Sequence, residues 1–436
     1  MIGSRIQMQL WFGIYHSIIA FVMVLTPVGK YVILSARMKQ ICRLYGDVIR
    51  RHLEQNRQMA FVSGPRQVGK TTLCERFQSS YLNWDKLSDR EVIVKGEDAV
   101  ADRIGLAVAR TQLPVLTLDE IHHYKHWKLF LKGFFDAYWK KVKVLVTGSA
   151  RLDVYKRGGD SLMGRYFPYR MHPFSVGELV RPACGEDELS PPKPIEEELW
   201  SRLLLFGGFP EPFSRADKMF VRRWRQLRFE QLVREDIRKD TAIRELDQIE
   251  ALARILSERS GEQLVYASLG KEVQASEITA RNWVSTLCSF YFGFRVKPWA
   301  RHVENAIRKT PKWYLRDWSG ISDVGKRNET FVACHLLKAV EYWTDLGFGK
   351  CDLYYVRDKQ KAEADFLVSK DDQPWFLVEG KTSDVRLSPA LETYQKKIGA
   401  SHAFQVVLNL PYEAVDCFAL KEPAVVPART FLSQLP

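Results

Sequence analysis

Cysteine is scarce and unpatterned in this chain: seven residues are scattered over 436 positions, and none stands in C-x-x-C spacing. That excludes a disulfide-built secreted scaffold and a cysteine zinc site, and points to a reducing compartment, the cytoplasm. Acidic residues are also under-represented, 52 against 65 Lys and Arg, for a formal net charge of +13. The excess suits an anionic partner, most simply nucleic acid, with DNA ahead of RNA. It is spread along the chain, so it does not locate a surface. Charge is missing altogether from Ile6 to Gly29, and no small-x-small cleavage site follows, which argues against a secretory signal. Ile14–Leu25 is apolar enough for a spanning helix. Three readings stay open for residues 1–37: a membrane anchor, a helix packed on the next domain, or translated sequence upstream of a start at Met38. As an anchor it would be followed by Lys30, Arg37, Lys39 and Arg43, which keep the rest cytoplasmic; a membrane is a partner only on that reading. Met38–Leu53 reads as a complete amphipathic helix leading into a first strand. With 46% hydrophobic and 12% aromatic residues, the remainder is globular and long enough for two or three domains.

Against these absences stands one dense motif. Gly64, Pro65, Arg66, Gln67, Val68, Gly69, Lys70 and Thr71 fit G-x-x-x-x-G-K-[ST], with Thr72 next. The apolar run Met59–Ser63 enters it as a buried strand, and Thr71–Phe77 leaves it with helical spacing. Glycines allow backbone N–H groups to turn inward on phosphates, and the helix N-terminus adds positive potential. Lys70 would reach the β- and γ-phosphates of a nucleotide, and Thr71 would ligate Mg²⁺. Downstream, Pro114–Glu120 is a short apolar strand ending in two carboxylates, the form of a Walker B strand. Asp119 would hold Mg²⁺ through water, and Glu120 would polarise the attacking water. A further strand, Lys143–Ser149, ends in hydroxyl residues where a γ-phosphate sensor would stand, Ser149 or Thr147. No N-K-x-D guanine-reading motif is present, which makes ATP the expected nucleotide.

These residues resemble a family of predicted prokaryotic ATPases in which an AAA-type domain is fused to a conserved C-terminal domain of unknown function. The likeness rests on Gly64–Leu73, Leu118–Ile121, Thr147–Ala150 and Gly164–Ser175, and continues in Phe206–Pro210, Lys312–Asp317 and Glu363–Leu367. It covers Met38 to the C-terminus. It implies an α/β fold with a P-loop core of the ASCE class, ATP and Mg²⁺ as cofactors, and Arg165 as a candidate arginine finger, a residue that often acts from a neighbouring subunit of a homo-oligomer.

On this reading residues 38–180 form the ATP-binding domain and 181–195, rich in proline and charge, a linker. Residues 196–260 are helical, and the run Arg222–Phe229 is read as a solvated helical face. Residues 261–318 have the order of a winged helix: Leu269–Val273, then Ser276–Leu287, then strands at Phe290–Lys297 and Lys312–Leu315. Thr279, Arg281 and Asn282 face outward near the start of the second helix, where a DNA reader would enter the major groove.

In residues 319–436, Ala362–Ser369, a turn at Asp371–Pro374 and Trp375–Lys381 resemble the PD-(D/E)xK nuclease core. Period-2 geometry puts Glu379 and Lys381 on one face, with Asp365 across the hairpin. Asp365 and Glu379 would bind Mg²⁺, Lys381 would steady the attacking water, and Glu329 matches the acidic residue supplied by the fold's first helix. Two functions follow: an ATPase acting on nucleic acid through the winged helix and the nuclease-like domain, or a signalling ATPase whose C-terminal domain docks a protein partner and cuts nothing.

Overall fold

The computed structural model describes residues 21–25, 31–35, 42–148, 162–238, 241, 243–299, 310–358 and 363–436. Two units emerge, Met1–Ile41 and Cys42–Pro436. In the first, strands β1 (Phe21–Leu25) and β2 (Tyr31–Ser35) pair antiparallel, Phe21 opposite Ser35. This corrects the helical reading of Ile14–Leu25 over its described part: a short run rich in β-branched residues reads equally as strand or helix. Among the described residues no helix is long and apolar enough to cross a membrane.

The second unit opens with a helix at Leu44–Gln55, later than the sequence pattern placed it. Five parallel strands follow: β3 (Met59–Ser63), β4 (Ser80–Asn83), β5 (Val115–Asp119), β6 (Lys143–Gly148) and β7 (Tyr166–Arg170), in the order β4-β5-β6-β3-β7. All of β3 and four of the five residues of β5 are buried, as expected for a parallel sheet covered on both faces. Phe61, Leu116, Leu118 and Val146 pack on Phe130, Leu131 and Phe134 of the helix Trp127–Tyr138. The parallel register sets Asp119 beside Thr147, and Thr147 beside Val62. The ends of β3, β5 and β6 therefore meet at one edge of the sheet.

Beyond the 181–195 segment, which is helix-free and pinned by Ser190 N–H to Gln434 O and Trp343 Nε1 to Glu188 O, come the helices Glu197–Phe206, Pro210–Arg215 and Lys218–Glu230. The last runs into a π-helical stretch, Gln231–Ile237. Helices Leu246–Glu258, Tyr266–Glu272 and Glu277–Ser289 share a core of Leu252, Leu256, Trp283, Leu287 and Trp313. Strands β8 (Gly293–Pro298) and β9 (Lys312–Leu315) then pair antiparallel.

The long helix Val324–Leu346 precedes β10 (Cys351–Arg357), β11 (Glu363–Lys370) and β12 (Gln373–Lys381), an antiparallel meander. Asp371 and Asp372, both at positive φ (50° and 62°), make the two-residue turn between β11 and β12. The helix Pro389–Ile398 leads to β13 (His402–Val407), parallel to β12, and β14 (Ala424–Pro427) adds to its edge. The sheet does not stop at residue 319: β8 pairs parallel with β10, giving one seven-stranded order β14-β13-β12-β11-β10-β8-β9.

Candidate nucleotide site and C-terminal acidic cluster

The phosphate-loop motif leaves β3 at the shared strand edge. Gly64 has φ 151°, and a Cβ there would lie 2.4 Å from Met171 O, so the position admits only glycine. Gln67 and Gly69 also take positive φ, 62° and 97°, which turns the backbone between them before the helix begins at Lys70. Lys70 is buried and its ammonium donates to Gly64 O and Pro65 O, both at 2.9 Å, curling the side chain back over the loop. Burial lowers its pKa to about 8, against the opposing pull of Glu120 and Asp119. The loop is braced from behind: Arg43 Nη1 donates to Val68 O at 2.6 Å.

Asp119 collects three hydroxyl donors: Thr71 Oγ1 at 3.0 Å, Tyr81 OH at 2.7 Å and Thr147 Oγ1. Glu120 follows in the left-handed region at φ 53°, a strained conformation for a residue with a Cβ. Its Oε2 is buried without a hydrogen-bond partner, and His122 Nε2 stands 3.5 Å away. Burial raises the Glu120 pKa while Lys70 pulls it down. A carboxylate held this way, beside a Thr-Asp pair and a glycine cradle, fits a nucleotide triphosphate with Mg²⁺: Thr71 and Asp119 would hold the ion, and Lys70 and the loop N–H groups the phosphates.

The loop forms one wall of a cleft of about 620 Å³. The other wall comes from the middle segment, with Arg225, Arg228, Phe229, Phe292 and Asp317. Arg228 lies over the Phe209 ring at 4.0 Å and reaches Asp317 Oδ2 at 4.0 Å; Arg225 Nη1 donates to Ser319 O at 2.5 Å. Arg66 of the loop crosses to Asp236 of the π-helical stretch at 2.8 Å. The solvated-face reading of Arg222–Phe229 is thus corrected for two residues: Arg222 and Arg223 are exposed, but Arg225 and Arg228 turn to the cleft. The signal was available, since Arg228 continues the i, i+3, i+7 stripe of buried Val221 and Trp224.

Arg165 immediately precedes β7 and accepts from Met59 N–H at 2.9 Å, at the end of the sheet away from the phosphate loop, roughly 15 Å off by strand rise. Its Nε and Nη2 each donate to Asp136 at 2.8 Å, so within its own subunit it does not serve the cleft. Of the two γ-phosphate sensor candidates, Ser149 lies outside the described residues, and Thr147 is one of the three hydroxyls on Asp119. In the middle segment Arg281 and Asn282 are exposed, but Arg281 is held by Glu277 at 2.9 Å and stacks over Tyr266 at 4.6 Å. Thr279 N–H bonds the Ser276 N-cap at 3.0 Å.

A second polar cluster forms where the long helix meets β9, β11 and β12. Asp365 Oδ2 accepts from Gly380 N–H at 3.0 Å, tying it to the strand that carries Glu379 and Lys381. Lys381 Nζ lies 2.8 Å from Glu379 Oε1, while Glu379 Oε2 is buried without a hydrogen-bond partner. Glu329 accepts from Tyr314 OH at 2.6 Å. Burial, reinforced by Glu329, raises the Asp365 pKa to about 7. The four sequence-derived residues thus share one region. Three more were missed: Glu363, Tyr314 and Lys312, whose ammonium contacts Glu363, lies 3.2 Å from Glu329 and 3.8 Å from Asp365.

Two halves of the unit are joined by buried charge. Glu178, fully buried, accepts from Arg43 Nε at 2.7 Å, Leu44 N–H at 2.9 Å and Lys338 Nζ at 2.5 Å. Nearby, Arg170 pairs with Asp345 at 2.6 Å and His172 with Glu341 at 2.6 Å, each reaching from the ATP-binding segment to the long helix.

Residues 56–180 match the family described as an AAA domain, and residues 197–323 match a domain of unknown function, DUF8612. The uncharacterized protein Rv2008c of Mycobacterium tuberculosis is 23% identical over 344 residues, covering 77% of this chain and 73% of the relative. The uncharacterized protein MJ1637 of Methanocaldococcus jannaschii is 22% identical over 317 residues, covering 64% and 66%. Among solved structures, the Aeropyrum pernix ORC1 protein in complex with DNA aligns at 11% identity and a TM-score of 0.29, over 66% of this chain and 90% of that one. By the family match, residues 56–180 are an AAA-type ATPase domain.

Proposed function

We propose that this protein hydrolyses ATP with Mg²⁺ and couples that cycle to nucleic acid through the middle segment and the C-terminal domain. The observation that carries the ATPase reading is the convergence of Lys70, Thr71, Asp119 and Glu120 on one strand edge, facing a cleft closed by the middle segment. When bound, Mg²⁺ would neutralise charge on the β- and γ-phosphates. Lys70 would leave Gly64 O and Pro65 O for the phosphates. Thr71 would give up its bond to Asp119. Glu120, half-buried with its Oε2 short of partners, would orient a water for in-line attack. Arg225 and Arg228 add positive charge on the opposite wall, so occupancy of the cleft would draw the two walls together.

For the second half, the element order helix, helix, strand pair supports a winged-helix reading of 261–318. The helix-meander-helix-strand order, with Glu329, Asp365, Glu379 and Lys381 together, supports a PD-(D/E)xK-like domain. Asp365 and Glu379 would hold a divalent cation there, and the unpartnered Glu379 Oε2 fits that use. A protein-docking ATPase without nuclease activity is favoured by one observation, the ammonium of Lys312 already lodged among the carboxylates.

The test is cleavage of plasmid and single-stranded DNA with Mg²⁺ or Mn²⁺, with and without ATP, against Lys381→Ala. Cutting lost in the variant supports the nuclease reading. Absent cutting, together with hydrolysis that DNA does not stimulate at any salt concentration, favours docking.

A further inference from the structure

We propose that Lys312 is a built-in cation of the C-terminal acidic cluster: its ammonium takes the place of a second divalent ion on Glu329 and Glu363 and limits the site to one metal, on Asp365 and Glu379. The inference rests on reading Asp365 and Glu379 as a cation site.

Its basis is placement and charge. Lys312 sits on β9, a strand of the middle segment, yet its side chain is 6% exposed and ends among carboxylates of the long helix and β11. The strand is fixed there: Lys312 pairs with Val296, Leu264 N–H bonds Pro311 O at 2.8 Å, and Trp313 Nε1 donates to Leu256 O at 3.0 Å. The ammonium also lies 5.7 Å from the centre of the Tyr355 ring, and Tyr355 OH donates to Thr310 O at 2.6 Å. Four carboxylates, Glu329, Glu363, Asp365 and Glu379, face three cations, Lys312, Lys381 and Arg357, the last 3.4 Å from Glu363. The two further cations, Lys312 and Arg357, lie on the Glu329 and Glu363 side, which leaves Asp365 and Glu379 with Lys381 as the side whose net negative charge suits one divalent ion. Deep carboxylate clusters are tolerated only when their charge is compensated. Lys312 supplies that compensation on the Glu329 side, and the orphaned Glu379 Oε2 marks the side left for metal.

Full-length protein carrying Asp119→Asn, to remove the nucleotide-site ligand, is titrated with Mn²⁺ while free ion is followed by electron paramagnetic resonance. The parent should bind one Mn²⁺, and Lys312→Met one more; Lys312→Arg, which keeps the charge, should behave as the parent. Equal number and affinity in the parent and Lys312→Met overturn the proposal. Should Lys312→Met not fold, Glu329→Gln and Glu363→Gln decide: they serve the lysine, so the single Mn²⁺ of the parent should survive both, and its loss in either overturns the proposal. Glu379→Gln separates the two levels. If it leaves the parent's Mn²⁺ in place, the assignment of Asp365 and Glu379 fails, while a gain in Lys312→Met still upholds Lys312 as resident cation.

Discussion

Glu178→Gln probes the joint between the two halves of the unit and the brace behind the phosphate loop. The carboxylate is fully buried, and its loss leaves Arg43 and Lys338, themselves buried, with no counter-charge. Removing one partner of a buried ion pair typically costs about 3–5 kcal/mol. Lys338, whose pKa burial already lowers to about 8, can relieve its share by losing its proton, which at pH 7 costs only about 1 kcal/mol. Arg43 keeps its charge, so most of the loss falls there. With an unfolding entropy of about 2.1 cal/mol/K per residue over roughly 400 residues, 1 kcal/mol corresponds to about 1.2 °C, so the melting temperature should fall by about 4–6 °C. Lys338→Met, which leaves the Arg43–Glu178 pair intact, should cost much less, and adding it to Glu178→Gln should recover part of the loss. Burial opposes ionisation of Glu178, but Arg43 and Lys338 outweigh it and hold the pKa below the usual value. A depressed folded pKa contributes stability above the ordinary carboxylate range that is lost as pH falls through the depressed value; Glu178→Gln should flatten that acid limb. Differential scanning fluorimetry from pH 3 to 8 is the assay. A shift under about 1 °C for Glu178→Gln, or an equal shift for Lys338→Met, refutes the reasoning.

Burial lowers the Lys70 pKa to about 8, and phosphate charge would raise it; ADP binding above pH 8 should therefore take up a proton, and affinity should fall toward tenfold per pH unit, measured by calorimetry in buffers of different ionisation enthalpy. Arg228→Ala removes a cation from the cleft wall and should weaken ADP binding by about tenfold or more, whereas exposed Arg222→Ala on the same helix should stay within about twofold. Arg281→Ala should weaken duplex DNA binding and lower its salt slope by about one if the second helix of the middle segment meets DNA; an unchanged slope in a filter-binding titration removes that residue from the interface.

What was legible in the sequence was local. The phosphate loop, its entering strand and the Asp119–Glu120 pair are contiguous residues whose chemistry fixes their backbone, so reading them required no tertiary information. The β11–β12 hairpin was likewise readable from alternation and its Asp-Asp turn. Long-range placement was not. Arg165 looked like a finger from its position in the chain, but the sheet register carries it to the far end of the sheet, onto Asp136. Lys312 stood in a recognised motif without a role, because only the pairing of β8 with β10 brings β9 up to the acidic cluster. Arg228 hid in an arginine-rich run whose inward face is defined by packing on Phe209 and Trp224. Phe21–Leu25 shows the opposite limit: a short apolar run carries no periodicity strong enough to separate strand from helix.

The central claim is that Lys70 and Glu120 form one ATP-hydrolysing site. Phosphate release from Mg·ATP by the chain, Lys70→Ala and Glu120→Gln, alongside equilibrium binding of a fluorescent ATP analogue, tests it most directly. The account predicts that Lys70→Ala loses binding, while Glu120→Gln binds the analogue normally and hydrolyses ATP about 10²–10⁴-fold more slowly. Hydrolysis at the parent rate in Glu120→Gln, or unimpaired nucleotide binding in Lys70→Ala, would contradict it.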